Sequence, residues 1–414
     1  MAKPRRDTKG RTLRKGESFR KSDKSYVYRY TDPLGAVRQI YSKDLVVLRE
    51  RVEKLKKDQQ DGLDVYVAGK SDINTVWERY IASKTELRGT TRSNYNYMYD
   101  HFIRDSFGKN KIAEVKYSDV LFFYNYLLND VELQINTLET IHTVLHPTFE
   151  MAVRDGIIRT NPSNRIMGDL KKKFGKNKGV RHALTIEHQR AFMEYVANSP
   201  VYYKWTPLFT VMFGTGGRIG EIIGLRWDDL DYENRLINVN HSITYYPREE
   251  EEGKPKCRHE VSLTKTEAGI RDIPMLEKVY DAFQEEYDRQ KKTGFNQTEI
   301  DGMTGFIFQN RNGNVHNPQG VNRAIRRIYE AHNVEEVVKA IKKNREPVLI
   351  PHFSCHITRH TFCARLCEQE DNLKVIMDIM GHADIETTAE IYAEVTNKRK
   401  KESFDKLSRN IDVF

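Results

Sequence analysis

Between Lys171 and Arg181 the chain carries six basic residues, two glycines and no acid. A hydrophobic core cannot run through such a stretch, because the cations must stay solvated and glycine leaves the backbone free. It therefore separates folding units, and 414 residues hold two to four domains of ordinary size. The units also differ in charge. Residues 1–60 contain eighteen Lys or Arg against eight Asp or Glu, an excess of ten, while the whole chain carries +9. The front segment thus supplies the entire surplus. A positive surface of that density gains counterion-release free energy on a phosphate backbone, so double-stranded DNA is the expected partner.

Hydrophobic periodicity gives the same division. Tyr26, Tyr28 and Tyr30 alternate with Val27, Arg29 and Thr31, the period of a strand with one aromatic face. Asp32-Pro33-Leu34-Gly35 reads as a turn into a second strand, Val37 to Tyr41, which predicts a hairpin after a loose stretch ending near Arg20. Ser42 is expected to cap a helix through Leu45, Leu48, Val52 and Leu55. Residues 1–66 form this module. After Gly69 apolar residues recur at three and four spacing through 75–83, 90–107, 117–128 and 136–155, with Ser118-Asp119 and Asn136-Thr137 as caps, which predicts a helical domain over 71–170 ending near Asn161-Pro162. A basic linker, 171–182, follows. Residues 183–395 mix helix and strand, with strands expected in Leu236–Tyr246 and His259–Ile273 and an exposed acidic loop at Glu249–Glu252. In 396–414 a basic run, Lys398 to Lys401, leads into Phe404, Leu407 and Ile411, the stripe of a short terminal helix that needs a partner surface. The fold class expected is multidomain, mainly α with small β elements.

Several classes are excluded. No apolar run approaches the roughly 18–20 residues of a membrane helix, and the basic start lacks the apolar core of a secretory signal, so a cytoplasmic, nucleoid-associated protein is expected. Cys257, Cys355, Cys363 and Cys367 show no C-x-x-C pair and no His at zinc-finger spacing. They read as reduced thiols, with no metal and no cofactor.

Four local patterns bear on chemistry. Thr215-Gly216-Gly217-Arg218-Ile219-Gly220-Glu221 lacks the spacing of a nucleotide-binding loop; alone, Arg218 and Glu221 read as an i, i+3 ion pair. Thr264-Lys265-Thr266 precedes a turn at Ala268-Gly269, and His356-Ile357-Thr358-Arg359 places His356 and Arg359 one helical turn apart. Gly381-His382 precedes Tyr392 by about ten residues. Singly, each is a surface or packing feature.

In order, the patterns resemble the catalytic set of the tyrosine recombinase, or phage-type integrase, family: an Arg in T-G-x-R-x-x-E, a hairpin Lys, H-x-x-R, a G-H pair and a later Tyr. The layout is most similar to integrases of conjugative transposons. That resemblance implies an arm-type DNA-binding module, a helical core-binding domain and an α+β catalytic domain. It implies an enzyme that cleaves and rejoins DNA through a 3′-phosphotyrosine to integrate and excise a mobile element. Arg218 and Arg359 would neutralise the scissile phosphate, and Tyr392 would be the nucleophile. His356 would serve as base with His382 supporting it, Lys265 as general acid for the leaving 5′-oxygen, and Glu221 would orient Arg218. Partners implied are core and arm DNA sites, three further copies in a homotetramer coupled through the terminal helix, and an excision factor. Rival readings are a chromosome-dimer resolvase or inversion recombinase, a type IB topoisomerase, and a DNA-binding regulator without catalysis.

Overall fold

The computed structural model describes residues 5–31, 37–60, 71–175, 182–248, 255–263, 269–382 and 384–410, and the side chains of all of these except 59–60, 397–399 and 401–410. The chain is mainly helical with small antiparallel sheets. It divides within the basic stretch into two compact units, 1–178 and 179–414.

The first unit opens with strands β1 (Glu17–Arg20), β2 (Ser25–Thr31) and β3 (Val37–Ser42), paired in that order. The β2–β3 pair is the expected hairpin; its turn, 32–36, lies outside the described residues. The β1 strand occupies part of the stretch expected to be loose. Its sequence has no apolar alternation, and pairing with β2, with Phe19 opposite Tyr26, is what extends it. Helix α1 (Leu45–Gln60) lays Leu45, Leu48 and Val52 on Tyr26. Its cap is Asp44 rather than Ser42: Asp44 Oδ1 accepts from the N–H groups of Val46 (2.7 Å) and Val47 (3.3 Å). Ser42 still belongs to β3, and a carboxylate gains more than a hydroxyl from the helix dipole.

Five helices follow: α2 (Ile73–Ser83), α3 (Gly89–Tyr99), α4 (Tyr117–Asn129), α5 (Ile135–Arg154) and α6 (Ile166–Phe174). The helix expected over 90–107 ends early because Asp100–Arg104 winds as a π turn. Asn136 and Thr137 sit inside the first turn of α5, whose cap position is Gln134. Trp77, Tyr99, Phe149, Ile166 and Leu170 share one core. Lys171 to Lys173, expected in the linker, therefore belong to the last turn of α6, where cations face the free carbonyls favourably.

A polar chain runs through this domain. The Tyr124 hydroxyl lies 2.8 Å from His142 Nδ1, the His142 and His146 rings meet at a tilt with centroids 4.9 Å apart, and His146 Nδ1 lies 2.8 Å from Ser163 Oγ. Asn161 Nδ2 donates to the His146 carbonyl at 3.1 Å.

In the second unit a core built on Phe192, Phe209, Phe283, Phe306 and Phe353 gathers helices α7 (Ile186–Asn198), α8 (Thr206–Thr215), α9 (Ile219–Gly224), α10 (Glu277–Thr293) and α11 (Pro318–Lys342). Each buried aromatic ring contributes about 1.5–3 kcal/mol. Strands β4 (Leu230–Asp231), β5 (Leu236–Val239) and β8 (Arg271–Pro274) form one sheet, and β6 (His241–Pro247) with β7 (Cys257–Leu263) another. The acidic loop at 249–252 lies outside the described residues. A second apolar cluster, with Cys363, Cys367, Ile376, Met380, Ile391 and Val395, seats helices α12 (Cys355–Gln369), α13 (Leu373–Met380) and α14 (Ile385–Asn410). The three cysteines on α12 are buried and in no disulfide. Among the described residues there is no separate terminal helix: α14 runs through Tyr392 to Asn410 with no Gly or Pro to stop it. The side chains of Phe404 and Leu407, and all of Ile411, lie outside the description. No described helix is long and apolar enough to cross a membrane.

Candidate active site

The site is built on the end of α13. An α-helix leaves its last carbonyls unbonded, with partial negative charge. Here three successive carbonyls each take a different guanidinium. Arg271 Nε donates to Ile379 O at 2.8 Å, Arg359 Nη2 to Met380 O at 2.6 Å, and Arg218 Nη2 to Gly381 O at 2.8 Å. Segments more than a hundred residues apart in sequence thus meet on one stretch of backbone.

The T-G-G-R turn explains how two of them get there. Gly216 caps α8 in the left-handed region, φ +62°, where a side chain is strained. A Cβ there would also stand 2.4 Å from Phe362 Cδ1. The bend presents the Gly216 carbonyl to Arg359 Nη1 at 2.9 Å and places Arg218 at the cap of α9. Glu221, three residues on, accepts from the Arg218 N–H (2.9 Å) and from Arg218 Nη1 (2.8 Å). Glu221 is buried, and burial would raise its carboxyl. The hydrogen bond and charge of Arg271, together with the charge of Arg218, bring it down to about 2. It is ionised throughout the physiological range.

Arg359 is 4% exposed. Burial and the neighbouring Arg218 charge lower its guanidinium to about 9, still protonated at neutral pH. Among the described residues the one carboxylate bonded in this cluster is Glu221, which accepts from Arg218 and Arg271 while Arg359 bonds only carbonyls, so three positive charges minus one leaves two uncompensated. Such an excess, with Arg359 buried and Arg218 partly open to solvent, calls for an anion.

His382 follows the arginine-bearing carbonyls directly, with Nδ1 2.8 Å from Thr388 Oγ1. Burial, then the charges of Arg359, Arg218, Arg271 and His356, press it to about 4. It is a neutral imidazole, able to hydrogen-bond but not to add charge. His356 is exposed at the first turn of α12. Tyr392, partly buried on α14, packs on the cluster that includes Met380, whose carbonyl holds Arg359. Arg218, Glu221, Arg359 and His382 are therefore brought together, with His356 close enough to act on His382. Lys265 lies outside the described residues. Sequence reasoning assigned no role to Arg271. Its signal was parity: on β8 it alternates inward with Ile273, burial pattern buried, exposed, buried, exposed, and an inward Arg needs a buried anion.

A second feature of this unit is a cleft of about 1640 Å³ lined by Lys204, Arg289, Arg311, Arg323, Arg326 and Arg327. Arg289 and Arg326 bond Glu286 and Glu330. The other four have no ion-pair partner among the described residues. Trp205 and His316 rings, 4.8 Å apart, form part of the wall.

The sequence matches the phage integrase family over residues 182–399 and the DNA binding domain of tn916 integrase over 1–59. The chain belongs to the phage integrase family of tyrosine recombinases. It is 30% identical to the transposase from transposon Tn1545 of Streptococcus agalactiae and to that from transposon Tn916 of Enterococcus faecalis, each over 96% of this chain and 95% of the relative. Its structure resembles that of the Tn1549 transposon integrase in complex with transposon right end DNA, with TM-score 0.67, 27% identity, and 82% of this chain and all of the other covered. A lambda integrase tetramer bound to a Holliday junction shares the fold, at TM-score 0.53 and 15% identity. As an integrase of this family, the protein is a site-specific DNA recombinase.

Proposed function

We propose that this integrase inserts and excises a mobile element by transient esterification of DNA to Tyr392. The carrying observation is the pair of uncompensated positive charges beside the α13 carbonyls. Arg218, about half exposed, and Arg359 donate to the non-bridging oxygens of the scissile phosphate, and these bonds strengthen as charge builds in the transition state. The Tyr392 oxygen attacks phosphorus while its proton passes to His356, with His382 as a neutral hydrogen-bonding neighbour. The 5′-oxygen departs and takes a proton from Lys265. The ester conserves the bond, so attack by another 5′-hydroxyl reverses the step with no net proton or energy demand.

The working assembly is a homotetramer on two duplexes in the bacterial cytoplasm. Residues 1–66 hold arm sites, 71–174 and 183–395 clasp the core site through the linker that follows α6, and 396–414 docks between protomers. An excision factor sets direction. The basic cleft is the phosphate-holding face of the catalytic domain: Arg323→Ala with Arg327→Ala reduces the slope of log affinity against log salt by about 2, measured by fluorescence anisotropy on core-site duplex. The central test is a nicked suicide duplex, which becomes covalently attached to the protein and fails to do so with Tyr392→Phe. Attachment that persists in that variant rules the nucleophile out.

A further inference from the structure

Arg271 has no place in the mechanism above. Its side chain is 6% exposed. Its donors are taken: Nη2 to Glu221 Oε2 at 2.8 Å, Nη1 to Glu221 Oε1 and to the Gly269 carbonyl at 3.4 Å each, and Nε to Ile379 O at 2.8 Å. Gly381 lies against it so closely that a Cβ would fall 2.8 Å from Nη1 and 3.0 Å from Cδ and Cζ. A guanidinium so enclosed does not reach DNA.

What it does touch creates a problem that it also solves. Glu221 orients Arg218 through two bonds, yet a buried carboxylate 2.8 Å from a guanidinium cancels the charge that the guanidinium should offer a phosphate. We infer that Arg271 is a positioning residue that neutralises Glu221, so that Glu221 can orient Arg218 without quenching it. The planar fork spans both carboxylate oxygens, which a lysine cannot do with one ammonium. Its Nε, on Ile379 O, fixes the same pair to the helix end that receives Arg218 and Arg359. The inference rests on Arg218 binding the phosphate.

The test uses the full-length protein and the nicked suicide duplex, reading the single-turnover rate of adduct formation at saturating protein and, separately, DNA affinity. Arg271→Met slows adduct formation about 10- to 100-fold with affinity unchanged, and Arg271→Lys, which keeps the charge, stays within about tenfold of the unaltered protein. Glu221→Gln placed in the Arg271→Met background speeds it up again, because the unneutralised anion is gone. An arginine serving only as packing gives the opposite, since the second change removes further bonds. If Arg271→Met reduces the folded yield, the same pair of comparisons is made with Arg271→Gln. A wild-type rate in Arg271→Met, or a double variant slower than the single one, overturns the inference. An unaltered protein that forms no adduct at all instead overturns the assignment of Tyr392.

Discussion

Two buried polar clusters, one in each unit, are organised in opposite ways. Around α13 three guanidiniums face one carboxylate and a row of carbonyls, which leaves positive charge unspent. In the helical domain Tyr124, His142, His146, Ser163 and Asn161 are joined to one another by hydrogen bonds and a ring contact, with no arginine among them. His142 is held low, at about 4, by burial and by the His146 charge. A network that satisfies itself fixes a fold, whereas a network with charge left over is built to receive something from outside. The contrast separates scaffold from site without reference to motifs.

The largest test of that contrast is Arg359→Ala, expected to slow adduct formation by about 10²–10³-fold with little change in DNA affinity; an equal loss in both would make Arg359 a mere binding residue. Gly381→Ala comes next. It forces a side chain into φ +63° and against Arg271, costing about 1–2 kcal/mol from the backbone alone, and should lower both melting temperature and cleavage rate. Tyr124→Phe strips His142 of its partner and should cost about 1–3 kcal/mol in chemical denaturation while the single-turnover rate holds. A drop in rate there would blur the division. The smallest effect is in pH. With a folded value of about 4 against an ordinary 6.5, His142 binds fewer protons folded than unfolded, so stability falls as pH drops from 6.5 towards 4. His142→Gln should flatten that part of the melting-temperature curve.

Much of this was legible in the sequence, and the exceptions have physical reasons. The β2–β3 hairpin and the helices around Ile73–Ser83 and Tyr117–Asn129 follow from side-chain period, which local sequence records. Strand β1 does not, because its only reason to extend is a neighbour. Arg218, Glu221, Arg359 and His382 were recognisable by order along the chain. Arg271 was not, since its partner Glu221 lies 50 residues away and nothing local marks it except its parity with Ile273. The basic cleft was hidden for the same reason: its cations come from Lys204, Arg289, Arg311 and α11, each unremarkable in its own stretch. The cap at Asp44 shows the reverse case: Ser42, the cap expected from local sequence, is still part of β3, and the carboxylate two residues on takes the helix N–H groups.

The acceptors at 379, 380 and 381 belong to the main chain, so the identity of Ile379 or Met380 hardly matters to the arginines they hold. Spacing does. Inserting or deleting one residue between Ile376 and His382 would rotate the row by about 100° and hand each guanidinium the wrong oxygen. This short segment should thus tolerate substitution at Ile379 far better than any change in length.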